Sequence, residues 1–329
     1  MLSLSVLDVT PVTSGSTASA ALRDTVELAR LAERLGYVRY WLAEHHGLPN
    51  IASSSPEVLI AHVAGKTERI RVGAGGIMLP NHAPLRVAEV FHTLEALHPG
   101  RIDLGLGRAP GTDPVTSRAL RPAPAEQFPA QLVELVSLSR GDFPEGHPLC
   151  SVRVVPADVE LPPIWLLGSS GASAELAGSL GLGYGFASHF SQTSPVPAVR
   201  VYRSRFRPSP RFPRPHFILA LAVVCAETDE EADYLARSMD LGWVRLRRGE
   251  LGPLPSPEEA TDYPYTPHDR LLVDAYRNIA VVGGPTRVRA RIGALAAETA
   301  ADEVMVLTMI HDRSARLRSY ELVAEALRY

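Results

Sequence analysis

Two cysteines, Cys150 and Cys225, are all that 329 residues contain, so neither a disulfide framework nor a cysteine-rich metal site can be built. A surplus of positive charge is also missing. Lys+Arg 33 against Asp+Glu 36 gives a net charge of -3, which offers no global attraction for nucleic acid or an anionic membrane. The opening residues, Met1-Leu2-Ser3-Leu4-Ser5-Val6-Leu7-Asp8, lack the basic segment that begins a secretory signal. No uninterrupted apolar run approaches the length of a membrane span. The expectation is a cytoplasmic protein with neither a nucleic-acid nor a membrane partner. What the chain does have is apolar material: 46% hydrophobic and 21% charged residues suffice for a large core, and α/β barrels of this length fold as one unit.

Short, β-prone apolar runs recur at residues 2–9, 38–42, 70–73, 102–106, 164–167, 184–187, 217–225 and 303–309, eight in all. Most are followed by helical periodicity. Leu22, Val26, Ala29 and Ala32 share one face of the first helix, and Arg30, Arg34 and Gly36 mark its end. The next begins at Ser55-Pro56-Glu57, an N-cap, a first-turn proline and a first-turn acid. Eight such units with nearly continuous apolar strands favour a closed (β/α)8 barrel over an open doubly wound sheet. Two stretches break the rhythm. Residues 111–160 are rich in proline and polar residues around a helix at 127–139, forming an excursion after strand 4. Residues 242–280 carry Gly252, Pro253, Pro255, Pro257, Pro264 and Pro267 and read as a second excursion, a mobile lid between strands 7 and 8. The arginines at 200, 203, 205, 207, 211 and 214 read as a solvated helix end and loop rather than a phosphate-binding track.

Four constellations stand at the C-terminal ends of predicted strands, where barrels place their active sites. Glu44-His45-His46 ends strand 2. Adjacent strand residues point to opposite faces, so the two histidines cannot easily share a metal ion, and no metal is expected. Catalysis and a plain hydrogen-bonded loop end both remain open for this pair. Gly73-Ala74-Gly75-Gly76-Ile77-Met78-Leu79-Pro80 ends strand 3, where glycines allow either a tight turn or close backbone approach. Gly105-Leu106-Gly107-Arg108-Ala109-Pro110-Gly111 ends strand 4, with Arg118 further on. Either arginine can grip a phosphate or carboxylate bidentately or form a surface ion pair. Gly168-Ser169-Ser170-Gly171-Ala172-Ser173 joins strand 5 to a helix, bringing free N–H groups, three hydroxyls and a helix dipole together as an anion site needs. A competing site, Gly283-Gly284-Pro285-Thr286, ranks second because its proline removes one N–H donor.

Together with Val72, Pro99-Gly100-Arg101-Ile102-Asp103-Leu104, Ser117-Arg118-Ala119-Leu120 and Trp165-Leu166-Leu167, these segments resemble the bacterial luciferase-like flavin monooxygenase family. They do so across residues 2–120, 163–190 and 281–327, and the likeness is greatest to its short single-chain members, a subgroup that includes aromatic-polyketide tailoring oxygenases. The resemblance implies one (β/α)8 TIM-barrel domain over residues 1–329, in the family's habit a homodimer. It also implies FMN delivered reduced, as FMNH2, by a separate flavin reductase. O2 is then activated as a flavin C4a-hydroperoxide, and one oxygen atom enters a hydrophobic substrate, polycyclic aromatic polyketides among them, by hydroxylation, epoxidation or Baeyer–Villiger chemistry. Residue by residue, Arg108, Arg118, Ser170 and Ser173 match positions that hold the FMN phosphate, with backbone donors at Ser169 and Ser170. Gly75-Gly76 matches a non-proline cis peptide against the isoalloxazine, and His45 matches the catalytic histidine. The chain departs from the pattern at 111–160 and 242–280, the segments that would line or cover the substrate pocket. The alternatives are a deazaflavin (F420)-dependent dehydrogenase of the same superfamily and a flavin-binding protein without catalysis.

Overall fold

Among residues 2–328, which this computed structural model describes, nine strands run parallel. They are β1 (Ser3–Asp8), β2 (Arg39–Leu42), β3 (Arg71–Met78), β4 (Ile102–Gly107), β5 (Ile164–Gly168), β6 (Gly183–Ala187), β7 (Phe217–Cys225), β8 (Val281–Gly283) and β9 (Glu303–Leu307). Seven of them, β1 to β7, pair in chain order. β9 then closes the ring between β7 and β1. The fold is therefore a closed eight-stranded (β/α)8 TIM barrel, and the open sheet is excluded. The ninth strand, β8, was not anticipated. It is three residues long and lies outside the ring, paired with Val223, Val224 and Cys225 at the far end of β7.

The predicted runs fall on the barrel strands to within a residue or two, with one instructive exception. β3 does not stop at the glycines but continues through them to Met78, with a register shift against β4 between Ala74 and Ile77. The cause is crowding. A side-chain carbon at Gly73 would sit 2.6 Å from the Asp103 carbonyl oxygen, at Gly76 2.7 Å from that of Gly105, and at Gly105 2.1 Å from that of Ala74. The motif permits two strand backbones to approach rather than turning the chain. The Gly75–Gly76 peptide is cis, as the resemblance implies.

The first helix, Ala18–Leu35, ends at Gly36 in the left-handed conformation, its N–H returning to Ala32 and Glu33. Its buried face is rotated by about one residue from the predicted one: Ala29 and Ala32 are buried with Ala21, Leu28 and Leu31, while Leu22 and Val26 are half-buried. Pro56 starts the second helix, Pro56–Ala64, as expected, although the Ser55 side chain makes no capping bond. The predicted helix at 127–139 is observed at Phe128–Arg140.

The narrow N-terminal end of the barrel is filled by buried charge. Arg39 bonds Asp103 at 2.9 Å and Glu303 at 3.0 Å, Arg71 bonds Asp103 at 2.7 Å, and His216 reaches Glu303 at 3.2 Å. The Ser5 hydroxyl also donates to Glu303. Burial alone would raise both carboxyls, but the Arg39 and Arg71 guanidinium groups hold Asp103 low, and His216, Arg39 and Ser5 hold Glu303 low. Buried charges persist only when paired and fully bonded in this way. Above this layer Trp41 and Trp165 meet edge to face with centroids 5.5 Å apart.

The second excursion is a built helical unit. Helices Arg237–Arg248, Pro257–Asp262 and Pro267–Ile279 succeed one another, the last two opened by capping boxes at Ser256/Glu259 and Thr266/Asp269. Its prolines sit at first-turn positions or in the short links. Leu254 anchors it to the loop after β1, donating its N–H to the Val12 carbonyl at 2.8 Å and accepting from Ser14 N–H at 2.8 Å.

Candidate active site

A cavity of about 1180 Å³ opens at the C-terminal ends of the strands. Every barrel strand contributes to its wall, from Leu7 on β1 through Trp41, Gly75, Gly107, Leu167, Phe186 and Ile218 to Met305 on β9. Single ligand pockets usually run to about 1,000 Å³ at most, so there is room here for more than one small molecule. The second excursion forms the roof, with Met239, Trp243, Leu246, Leu254 and Tyr276 facing the cavity. Trp243 stacks on Tyr276 at 4.4 Å and 7° between planes. The first excursion adds Ala125, Glu126, Phe128 and Pro129. Both irregular segments therefore cover the pocket, as the departures from the family pattern suggested.

The Glu44-His45-His46 strand end divides its labour sharply. Glu44 is fully buried and collects four donors: the Met78 N–H at 2.8 Å, His46 Nε2 at 2.9 Å, His82 Nε2 at 3.0 Å and Asn81 Nδ2 at 3.1 Å. Burial raises its carboxyl, but His82, His46 and the Met78 N–H outweigh that and hold it below the usual range, while the bond to Glu44 raises His82. The carboxylate thus ties the end of β2 to the end of β3 and turns His46 away from the cavity. His45 does the opposite. Its N–H is held by the Ser53 carbonyl at 2.9 Å, its ring lines the cavity, and Nδ1 has no partner. Burial pushes the imidazole down to about 4. In this apolar wall His45 is therefore neutral at pH 7.

Arg108, Ser169, Ser170 and Ser173, at the ends of β4 and β5 and the helix after β5, line the same cavity. Helix Gly171–Leu180 begins here with Ser170 as N-cap, its hydroxyl making no capping bond. Ser173 donates to the Ser170 carbonyl at 3.1 Å. Gly171 has nothing within 4 Å of a would-be side-chain carbon, and its neighbours Ser169, Ser170, Ala172 and Ser173 line the cavity. The competing site is plugged. The Gly284 N–H donates to Asp229 Oδ1 at 2.7 Å, and Arg287 pairs with the same carboxylate at 2.6 Å, so this helix start already holds an anion belonging to the chain itself. Arg118 is not brought to the site: it is exposed on helix Pro114–Leu120 and does not line the cavity. The arginines at 203, 205 and 211 pair with Asp302, Glu175 and Glu160, as surface residues do.

Sequence reasoning missed His189. It lies two residues beyond the end of β6, lines the cavity, has an unpartnered Nδ1 and is pushed down to about 4, by burial first and then by the proximity of His45. The available signal was position: a polar Ser188-His189 at the C-terminal end of a barrel strand.

Comparison with known proteins gives this site its context. The family model for luciferase-like monooxygenases matches residues 2–303. The chain belongs to the luciferase-like monooxygenase family. It is 44% identical over 327 residues to a luciferase-like monooxygenase of Escherichia coli K12, covering 98% of this chain and 96% of that one. It is 35% identical over 332 residues to an N-acetyl-S-alkylcysteine monooxygenase of Bacillus subtilis, covering 99% and 98%. The crystal structure of apo-MsnO8 superposes with a TM-score of 0.90 at 41% identity, covering 99% of this chain and 98% of that one. The protein is accordingly a monooxygenase-family oxidoreductase. No helix among its described residues is long and apolar enough to cross a membrane.

Proposed function

We propose that this oxidoreductase is a flavin-dependent monooxygenase that takes FMN in its reduced form, FMNH2, from a separate flavin reductase, and uses O2 to place one oxygen atom on a hydrophobic substrate. The carrying observation is that Arg108 and three serines, Ser169, Ser170 and Ser173, at the start of helix Gly171–Leu180, line one largely apolar cavity. A planar ring with an anionic tail fits that donor set: Arg108, Ser169, Ser170 and Ser173 take the phosphate, and the wall containing Gly75 and Gly76 takes the ring. Reduced FMN, when bound, supplies the electrons that activate O2.

The chain's own residues supply the rest. The apolar roof excludes water and provides stacking surface for a substrate, and the volume beyond one ligand gives that substrate a place. Polycyclic aromatic polyketides match the Trp243–Tyr276 stack, while the B. subtilis relative points to thioethers as a second class to test. His45, neutral at working pH, holds or moves a proton where oxygen reacts. The deciding experiment incubates the protein with FMNH2, ¹⁸O2 and a panel of polycyclic and thioether substrates, followed by mass spectrometry. Incorporation of one ¹⁸O per product is expected. Anaerobic turnover with F420, or tight FMN binding with no oxygen consumed, would replace this reading by the dehydrogenase or the non-catalytic binder.

A further inference from the structure

β2 and β6 stand four strands apart in an eight-stranded ring and so on opposite sides of its mouth. The residues just beyond them, His45 and His189, turn back into the same cavity, and each leaves its Nδ1 buried without a hydrogen-bond partner. An unpaired buried imidazole nitrogen costs free energy, and native structures rarely tolerate one without a function. Here there are two, facing one space, and His45 is near enough to disfavour a proton on His189.

We infer that His189 is a second proton-handling residue and that it works with His45 as a unit holding at most one proton. The surroundings favour this. Glu44 and His46 are the ionisable groups beside His45, and Glu44 is spent on His82, His46, Asn81 and the Met78 N–H. Phe190 packs edge-on against His189 with centroids 4.8 Å apart and offers no charge. The charged side chains on the cavity wall, Arg108, Glu126 and Glu175, come from other elements, and Glu175, on helix Gly171–Leu180, pairs with Arg205. Burial outweighs the pull of Glu44 on His45, so one imidazolium is expensive and two are prohibitive. Two neutral rings can still accept a proton at one nitrogen and release one at the other.

This inference rests on the flavin reading for its chemistry. FMNH2 + O2 + substrate gives FMN + oxygenated substrate + water, so the two protons lost by FMNH2 are those gained by the oxygen that leaves as water. A pair that accepts one proton and returns it matches that balance without any net uptake from solvent.

The test has two arms. In the first, the C2 proton resonances of the protein without added flavin are titrated by NMR. His45 and His189 should stay neutral down to below pH 5, and His45→Asn should move the His189 transition upward by about half a pH unit or more. A His189 transition unaffected by His45→Asn would overturn the pair. In the second, protein-bound FMNH2 is mixed with O2 and peroxide release is followed from pH 5 to 9 in His45→Gln, His189→Gln and the double variant, each checked for fold by circular dichroism and for FMN affinity. Each single variant should depart from the wild-type rate by at least about tenfold, with the double variant no further away, since residues acting as a unit are not additive. Wild-type behaviour in His189→Gln, or multiplying effects in the double variant, would defeat the inference. Failure of wild-type protein to bind FMNH2 would instead defeat the flavin reading, and the NMR arm would still decide the pair.

Discussion

Arg277 and Asp240 meet across two roof helices as a two-pronged ion pair, Nε to Oδ1 at 2.7 Å and Nη2 to Oδ2 at 2.8 Å. Burial raises the Asp240 carboxyl even against this partner, so the charge depends on Arg277 for its place in the protein. Arg277→Met should cost about 3 kcal/mol in urea denaturation, because it strands a buried carboxylate. Arg277→Met combined with Asp240→Leu should recover much of that loss, and equal losses in both would show that the pair is not what holds the helices together.

Cofactor anchoring separates the two arginines that sequence reasoning had joined. Arg108→Ala removes a charge-assisted bond of about 1.5–3 kcal/mol and should weaken FMN by roughly tenfold or more while leaving riboflavin, which has no phosphate, little affected. Arg118→Ala should change neither by more than about twofold. Fluorescence titration of all four combinations is the check, and a matching loss in Arg118→Ala would return that residue to the site.

His45→Ala should keep the fold and FMN binding but divert oxygen to H2O2, lowering product per O2 by on the order of 10²–10⁴. His46→Ala should be milder, since His46 serves Glu44 and faces away from the cavity. Oxygen-electrode and product measurements on both variants decide it. Normal coupling in His45→Ala, or the greater damage in His46→Ala, contradicts the assignment.

Stability should fall as the solution is acidified from pH 6.5 towards 4. His45 and His189 are held down to about 4 in the folded chain against an ordinary 6.5, so between those values the unfolded chain takes up protons that the folded one refuses. Their contribution is complete above pH 6.5 and lost as pH drops towards 4. His82 has the opposite sign: raised by Glu44, it stabilises fully below 6.5 and loses its effect as pH climbs through its folded value. Denaturation midpoints measured between pH 7 and 4 should therefore slope less in His45→Gln and His189→Gln than in wild type, and unchanged slopes would refute the burial argument.

Trp243→Ala should impair substrate handling without touching the cofactor. It removes one face of the Trp243–Tyr276 stack, which belongs to the roof and not to the strand ends that carry Arg108 and the serines. KM for a polycyclic substrate should rise by about tenfold with FMN affinity unchanged. A parallel loss of FMN would mean that the roof, rather than the strand ends, holds the flavin.

The barrel was legible because its strands are buried on both faces and read as near-continuous apolar runs. Phe217–Cys225 was located to the residue. β8 was not legible, since three residues ending in a Gly-Gly-Pro sequence carry no periodicity, and the pairing with β7 is a long-range fact. The β3 glycines were noticed but misjudged as a strand end, because nothing local says that Asp103 and Gly105 will lie against them. In the site, His45 and the serine loop stood out by position at strand ends. Arg118 looked equally good and is absent from the cavity, since seven helical residues decide which way it projects. His189 was overlooked for lack of a motif around it, and the neutrality of both histidines follows from burial that only the folded chain defines.

The charged layer of Arg39, Asp103, Arg71 and Glu303 has a bearing on traffic. It stoppers one end of the barrel with groups too tightly bonded to part, leaving the roofed end as the door. In the proposed reaction a flavin and a substrate share that vestibule, so the one that sits deeper is expected to arrive first and depart last. That order would be set at the opposite end of the barrel from the chemistry, by four residues outside the cavity wall.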